Sequence, residues 1–202
     1  MTAPSYGTVA ALKKRLNIPT ADTTPEELLQ GALAAASRGI DRACGRRDGG
    51  FKLDDEATAR VYSTPGRVAR RDDGDLLLVD DIGDLTGMVV ETGGGGTYTP
   101  LTSYETSPDN AIADGRPVTG LLRGYGGWGT ATTRVRITAR FGWPAIPDDI
   151  AEATLIQAAR LYRRKDSPEG VTGSAEWGVV RLSRRDPDVW ALIEPYILPG
   201  FA

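Results

Sequence analysis

Apolar residues recur at helical spacing through the first part of the chain. A short helix is predicted over residues 8–16, with Thr8 as its N-cap. A longer helix is predicted to begin at Thr24, with Pro25 in its first helical position, and to end at Gly45. The apolar stripe of that second helix consists of Leu29, Leu33, Ala36, Ile40 and Ala43. Both helices therefore have one face suited to a common core.

From about residue 52 to 141 the pattern changes to a period of two. Strands are predicted over residues 57–62, 76–79, 88–91 and 132–141. In the last of these Val135, Ile137, Ala139 and Phe141 share one face, and Arg134, Arg136, Thr138 and Arg140 share the other. Such alternation predicts one buried face and one face open to solvent or to a partner. The glycine-rich stretches 93–96 and 123–129 are interpreted as hairpin loops, and the aspartates between 72 and 84 as a solvated loop.

The pattern returns to helical spacing after residue 143. Pro147 and Asp148 open a helix whose end is predicted at residues 167–170. Its apolar arc contains Ile150, Ala151, Thr154, Leu155, Ala158, Leu161 and Tyr162. Ile156 lies on the opposite, polar side, so burial on more than one side is expected, against either the β block or a neighbouring subunit. A short strand pair or extended loop follows around residues 177–183, and Asp186 begins a last short helix.

Helices grouped on either side of a run of strands predict an α+β fold. We expect two helices, an inserted, turn-rich antiparallel β block, a further helix, and a C-terminal arm, helix and tail. The predicted divisions are residues 1–51 for the N-terminal helices, 52–141 for the β insertion and 142–202 for the C-terminal helices, extended arm and tail. With 202 residues, these parts are expected to form one compact unit overall.

Composition narrows the possible chemistry. The chain has no histidine, one cysteine (Cys44) and a formal net charge of −3. Triads that depend on histidine are therefore excluded, as is a zinc site built from several cysteines. Neither glycine-rich stretch contains the Gly-Lys-Ser/Thr sequence of a phosphate-binding loop, and the aspartates lack the spacing of a calcium-binding loop. We predict no enzymatic activity, no metal and no cofactor, with Cys44 as a buried structural thiol.

The sequence also bears on location. The first residues lack the basic and apolar segments of a signal peptide, and no apolar run is long enough to cross a bilayer. Synthesis in the cytoplasm and no membrane association are expected. The basic runs 70–71, 163–165 and 184–185 leave DNA binding open as an alternative, although an acidic chain does not require it.

Four stretches resemble the head-to-tail connector proteins of long-tailed bacteriophages, also called adaptor or head-completion proteins. They are ALAAASRGIDRACGRR at 32–47, DLLLVDDIGDLTGMVV at 75–90, VRITARFGWPAIPDDIAEATLIQAARLYRRKDSPEG at 135–170 and GVVRLSRRDPDVWALIEPY at 178–196. These are patterns of packing and turns that occur in the family's order, whereas the loops at 93–130 match poorly.

This resemblance implies a small helical bundle with a β insertion. It also implies a virion protein of the neck, made in the cytoplasm of a bacterial host. The implied partners are further copies in a ring of about twelve, the portal protein, and the next neck or tail protein, a stopper or a tail terminator. The ring would complete the DNA-filled head and provide the docking surface for the tail. DNA would pass through its channel without sequence-specific binding, and no enzymatic activity is implied.

Two sets of residues are candidates for these contacts. The subunit-interface candidates are Arg134, Arg136, Arg140, Ile156 and Trp177. The arginines are expected either in solvent or against acids of an adjacent subunit, among residues 72–84. The portal-docking candidates are Trp190, Tyr196, Ile197, Leu198 and Phe201, in an apolar segment that either docks or folds back on its own helices. The alternatives are another neck or tail-terminator ring protein and a DNA-binding accessory protein.

Overall fold

A computed structural model describes residues 5–164, 171–172, 180–181 and 186–198. The chain divides into two compact units. A helical unit joins the segment that ends at Gly49 to the segment that begins at Ile146, and the β unit is the stretch Gly50–Ala145 between them. The fold is α+β, with helices and an antiparallel sheet, as predicted.

The helical unit begins with α1 (Val9–Leu16). The Thr8 hydroxyl accepts a hydrogen bond from the Ala11 amide at 3.1 Å, which confirms the predicted N-cap. Asn17 ends the helix in the left-handed conformation, with φ of 57°. Asparagine tolerates this region better than most residues, so the helix ends where its sequence allows.

The second helix, α2 (Glu26–Ala43), begins later than predicted. Pro25 is its N-cap and makes no side-chain capping bond, so the predicted cap at Thr24 is wrong. Thr24 instead belongs to a turn in which its amide donates to the Asp22 carboxylate at 3.0 Å. That hydrogen bond competes with capping for the backbone. The C-terminus is as predicted, because Gly45 adopts φ of 71° directly after the C-cap Cys44.

The third helix, α3 (Asp148–Arg163), contacts α1, α2 and a fourth helix, α4 (Pro187–Ile193). Contacts with three helices explain why its burial is not confined to one arc. Ala153, which lies on the same side of the helix as Ile156, is fully buried. Asp186 caps α4 as predicted, because its carboxylate accepts from the Asp188 and Val189 amides at 2.9 and 3.3 Å. A 3-10 turn, Glu194–Tyr196, follows α4.

Small residues allow these helices to pack closely. The buried cluster shared by α1, α2 and α3 consists of Leu12, Leu29, Ala32, Leu33, Ala36, Ala158 and Ala159. Four of the five apolar positions predicted for α2 are buried, whereas Ala43 is exposed at the end of the helix. Cys44 is fully buried, as predicted.

The β unit contains seven strands. They are β1 (Thr58–Ser63), β2 (Val68–Arg71), β3 (Gly74–Gly94), β4 (Thr97–Pro100), β5 (Glu105–Ser107), β6 (Val118–Arg123) and β7 (Arg134–Phe141). The strand order is β1-β7-β3-β6-β5, and β2 and β4 also pair with β3. Beyond this unit, a two-residue ladder joins β8 (Val171–Thr172) to β9 (Val180–Arg181).

The 21-residue strand β3 organises this sheet. Its first half pairs with β2 and β6, and its second half pairs with β7 and β4. Shifts in register near Ile82 separate the two halves. The two strands predicted at 76–79 and 88–91 are therefore parts of one strand, and the solvated-loop interpretation of residues 72–84 is wrong from Gly74 onwards. Asp75 and Asp81 in this stretch are buried.

Burial along β7 confirms the predicted alternation. Val135, Ile137, Ala139 and Phe141 are all 0% exposed. They pack in the core of the β unit with β3 residues such as Leu77 and Ile82. The strands β2, β4, β5 and β6 are not predicted from the sequence; three of them have only three or four residues or lie beside glycine-rich turns.

Candidate functional site

The arginine side of β7 belongs to a larger surface that four strands share. In the β1 register Val61 lies opposite Arg136, and in the β3 register Glu91 lies opposite the same arginine. We call this surface the outer sheet face. It comprises Val61, Val89, Glu91, Tyr98, Arg134 and Arg136. Pairing in the sheet fixes these positions, because residues opposite each other on neighbouring strands project to the same side.

Arg136 is the centre of the outer sheet face. Its guanidinium donates two hydrogen bonds to the Glu91 carboxylate, at 2.6 and 2.7 Å, and lies 4.2 Å from the ring centroid of Tyr98. The hydrogen bonds from Arg136 lower the pKa of Glu91, and Glu91 in turn raises the pKa of Arg136. The two groups therefore form a bidentate ion pair in which the charges neutralise each other.

The other two candidate arginines of β7 differ in their partners. Arg140 donates to the Asp84 carboxylate at 2.9 Å and to the Asp54 carbonyl at 2.9 Å. Hydrogen bonds from Thr86, and then the one from Arg140, lower the pKa of Asp84. Arg134 donates only to backbone carbonyls among the described residues, those of Ala131 and Thr133. Two of the three arginines thus pair with acids of their own chain, and their predicted role between subunits stays a prediction.

Two exposed valines were missed by the sequence reasoning. Val61 is 53% exposed and Val89 is 44% exposed, and both lie on strands next to β7. The alternation of side chains along β1 could have identified Val61, because Tyr62 points to the core and its neighbour must point away from it. Two exposed valines on neighbouring strands of the same sheet face make that face a candidate contact surface.

Tyr196, Ile197 and Leu198 lie in the helical unit, against the end of α2 and the start of α3. The Leu198 amide donates to the Cys44 carbonyl at 3.0 Å, and Arg46 donates to the Tyr196 carbonyl. The Tyr196 hydroxyl donates to the Asp149 carboxylate at 3.0 Å. Up to Leu198 the segment therefore lies on helices of its own chain. Tyr196, Ile197 and Leu198 remain half-buried, so portal docking through them stays a prediction.

Trp190 lines a groove between α2, α3 and α4. The groove has a volume of about 370 Å³ and is lined by Gly39, Ile40, Ala43, Gln157, Val189 and Ile193, among others. Arg42 and Asp186 supply its charges, and Asp186 also pairs with Arg160 at 2.8 Å. Its lining combines apolar side chains with Arg42, Gln157 and Asp186, and it contains neither a nucleophile nor a cluster of titratable groups.

Of the remaining candidates, Ile156 is half-buried on α3. Trp177 and Phe201 lie outside the described residues.

The described part of the chain provides little for catalysis. Within residues 5–164 and 186–198 no three His, Cys, Asp or Glu side chains form a group able to hold a metal ion. The buried Cys44 thiol faces the Ile193 carbonyl at 4.0 Å. Among the same residues, no helix combines the length and the apolar content needed to span a bilayer. What the described surfaces offer is contact area, on which many of the charges pair within the chain.

Comparison with known proteins identifies a related fold. Neither a protein-family model nor a curated protein sequence matches this chain. Two chains of solved structures are similar over nearly their whole length. One comes from "Virion of native gene transfer agent (GTA) particle", with 21% identity, a TM-score of 0.54, and coverage of 96% of this chain and 92% of that one. The other comes from "Neck of empty GTA particle computed with C6 symmetry", with 19% identity, a TM-score of 0.51, and coverage of 100% and 97%. At these identities the likeness establishes the shared fold.

Proposed function

We propose that this protein is a structural subunit of the neck of a phage-like particle. One observation carries the proposal: the fold matches a chain of a particle neck across 100% of this protein's length. A match of that extent includes both units and the connections between their segments. The four sequence stretches that resemble head-to-tail connectors, which span most of the chain in order, support the same proposal independently.

Within the neck, we propose the role of head-to-tail adaptor, a ring beneath the portal that closes the filled head and receives the tail. The neck that contains the similar chain was computed with C6 symmetry. A sixfold arrangement accommodates six or twelve copies, and the resemblance to connectors favours twelve. The partners in this proposal are neighbouring copies, the portal protein and the next neck or tail protein.

The residues also favour a role without catalysis. The chain has no histidine and a net charge of −3. In a ring channel, an acidic subunit would let DNA slide, because it lacks the excess of lysine and arginine that grips phosphates. We therefore propose no enzymatic turnover and no sequence-specific binding of DNA.

The test uses particles made without this protein. Purified protein is added to DNA-filled heads that carry their portal, and the heads are then imaged by electron cryomicroscopy. We expect ring density directly beneath the portal, retention of DNA and restored joining of tails. Density at the distal end of the neck or on the tail would indicate a tail-terminator ring instead. Binding to free duplex DNA without binding to heads would contradict the proposal and favour the DNA-binding alternative.

A further inference from the structure

The outer sheet face has the composition of a contact surface. Four large apolar side chains are exposed in the described part of the chain, and two of them, Val61 and Val89, belong to this face. Between them lies Arg136, paired with Glu91 and stacked on Tyr98. Arg136 already has a charge partner and apolar neighbours. Covering the centre of the face therefore does not bury an unpaired charge. The centre of the outer sheet face is therefore suited to burial against another protein surface.

One charge on this face lacks a counter-charge. In the described part of the chain Arg134 donates to the carbonyls of Ala131 and Thr133, and no carboxylate lies within ion-pair distance of it. A partner that supplies a carboxylate at this end of β7 would complete the electrostatics of the face.

The chain itself offers two carboxylates in the turn between β2 and β3, directly after the exposed Arg70 and Arg71. Asp72 and Asp73 are both exposed there, and the described residues contain no ion pair to either. Tyr125 holds the turn in place, because its hydroxyl bonds to the carbonyls of Arg71 and Asp72 at 2.9 and 2.6 Å. Arg70 stacks on the same ring at 4.5 Å. Two adjacent carboxylates are therefore presented on a fixed turn.

The size of the face favours a repeated contact over an isolated dimer. Four strands at about 4.8 Å spacing and three same-side positions about 6.8 Å apart cover roughly 400 Å². A stable pair of proteins buries about 800 Å² on each partner. A contact of half that size is weak in a pair, but it becomes effective when a closed ring repeats it.

We propose that the outer sheet face binds the β2–β3 turn of a second copy, with Arg134 of one copy meeting Asp72 and Asp73 of the next. The inference rests on the proposed function, since it supplies one of the contacts between neighbours in the neck ring. Because the face and the turn are different surfaces, the contact is head-to-tail and propagates around a ring.

The test is a charge exchange in the full-length protein. Self-association is measured by analytical ultracentrifugation over a wide concentration range, and incorporation into portal-bearing heads by electron cryomicroscopy. We expect Arg134→Glu to weaken association about tenfold per contact, because attraction becomes repulsion. Asp72→Lys with Asp73→Lys is expected to weaken it similarly. Combining all three substitutions is expected to restore association to within about threefold of the unmodified protein.

Matched variants separate a contact from a general effect. Arg116→Glu makes the same change of charge at an exposed position off the face, and we expect it to associate normally. Val61→Thr keeps the shape and leaves Arg134 untouched, and a loss of about fivefold is expected from its reduced apolar area. Val61→Thr also keeps the test informative if Arg134→Glu disturbs folding, which circular dichroism would reveal.

The outcomes are distinct. If the protein assembles but Arg134→Glu and Val61→Thr assemble equally well, the inference is wrong and the proposed function stands. If Arg134→Glu weakens assembly and the triple variant does not recover it, the acidic turn is not the partner and the inference is also wrong. If the unmodified protein neither associates nor joins heads, the proposed function itself fails.

Discussion

The helical unit and the β unit accommodate polar groups in different ways. In the helical unit one fully buried carboxylate, that of Asp41, accepts hydrogen bonds from the Tyr6 hydroxyl at 2.6 Å and from the Gly49 amide at 2.8 Å. It thereby joins residues before α1, within α2 and after it. In the β unit five described arginines lie over aromatic rings, with distances from 3.7 to 5.5 Å.

Arg60 illustrates the second arrangement. Its guanidinium lies 3.7 Å from the centroid of Phe141 and pairs with Asp54 and Asp80 at 3.2 and 2.8 Å. Its charge is neutralised while its flat face covers an apolar ring. The β unit thus stacks arginines on aromatic rings, whereas in the helical unit the buried carboxylate of Asp41 acts as a hub that joins three segments of the chain. Losing one of several stacked arginines should cost less stability than losing a hub that joins several segments. Substitutions of comparable size should therefore lower the free energy of unfolding by different amounts in the two units.

The largest effect is expected from the aromatic residue that closes the β unit. Trp128 is 2% exposed, and its indole nitrogen donates to the Asp75 carbonyl at 2.8 Å. We expect Trp128→Ala to lower the free energy of unfolding by about 3–5 kcal/mol, since it creates a large cavity and removes the hydrogen bond to that carbonyl. Urea denaturation followed by circular dichroism measures the loss. Leu28→Ala, at a position 57% exposed, should change it by less than about 0.5 kcal/mol; equal losses would contradict the placement of Trp128 in the core.

The hub of the helical unit is expected to come next. Asp41→Ala removes the acceptor for the Tyr6 hydroxyl and the Gly49 amide. We expect a loss of about 3 kcal/mol in the same urea assay, because two buried donors lose their partner. Tyr6→Phe removes only one of those bonds and should cost about 1 kcal/mol. If the two variants proved equally stable, Asp41 would not be a hub and the contrast between the units would fail.

Two glycines of α2 offer a stabilising test. A Cβ added at Gly31 or at Gly39 would meet no atom within 4 Å. Alanine in a helix interior is favoured over glycine by about 1 kcal/mol, so Gly31→Ala and Gly39→Ala should each raise the melting temperature by about 2–4 °C. Differential scanning calorimetry provides the measurement. A drop for Gly39→Ala alone would show that the groove beside Trp190 is narrower than the structure indicates.

The helical unit was the more predictable from sequence because its signals are local. A helix cap and its apolar stripe lie within a few residues of each other, so Thr8, Asp186 and the buried side of α2 were identified correctly. The error at Thr24 arose where a turn used the same residue types as a cap. For β7 the alternation gave the buried side correctly, since period two is also a local signal.

The pairing of strands could not be predicted in the same way. Arg136 and Glu91 are 45 residues apart, and nothing in either local pattern specifies that they meet. β3 was divided into two strands because its aspartates look like a loop. In the sheet these carboxylates accept hydrogen bonds from arginines, from backbone amides and from the Trp143 indole. The outer sheet face was therefore only partly predictable: its arginines were identified on β7, but Val61, Val89 and Tyr98 come from other strands.

The smallest expected effect concerns the Arg136–Glu91 pair and its dependence on pH. Because the pKa of Glu91 is lowered in the folded protein, its charged form contributes stability above the ordinary glutamate pKa of 4.5. That contribution is lost as pH falls through the lower, folded value. We expect Glu91→Gln to reduce stability at pH 7 by less than Gly31→Ala increases it, since partly exposed pairs contribute little. Urea denaturation of both proteins between pH 7 and pH 3 should show the difference shrinking below about pH 4.5. The Arg140–Asp84 pair titrates in both proteins and cancels in the comparison. A difference that stayed constant down to pH 3 would mean that Glu91 acts through packing on Tyr98 and Arg136. Its charge would then contribute nothing to the stability of the β unit.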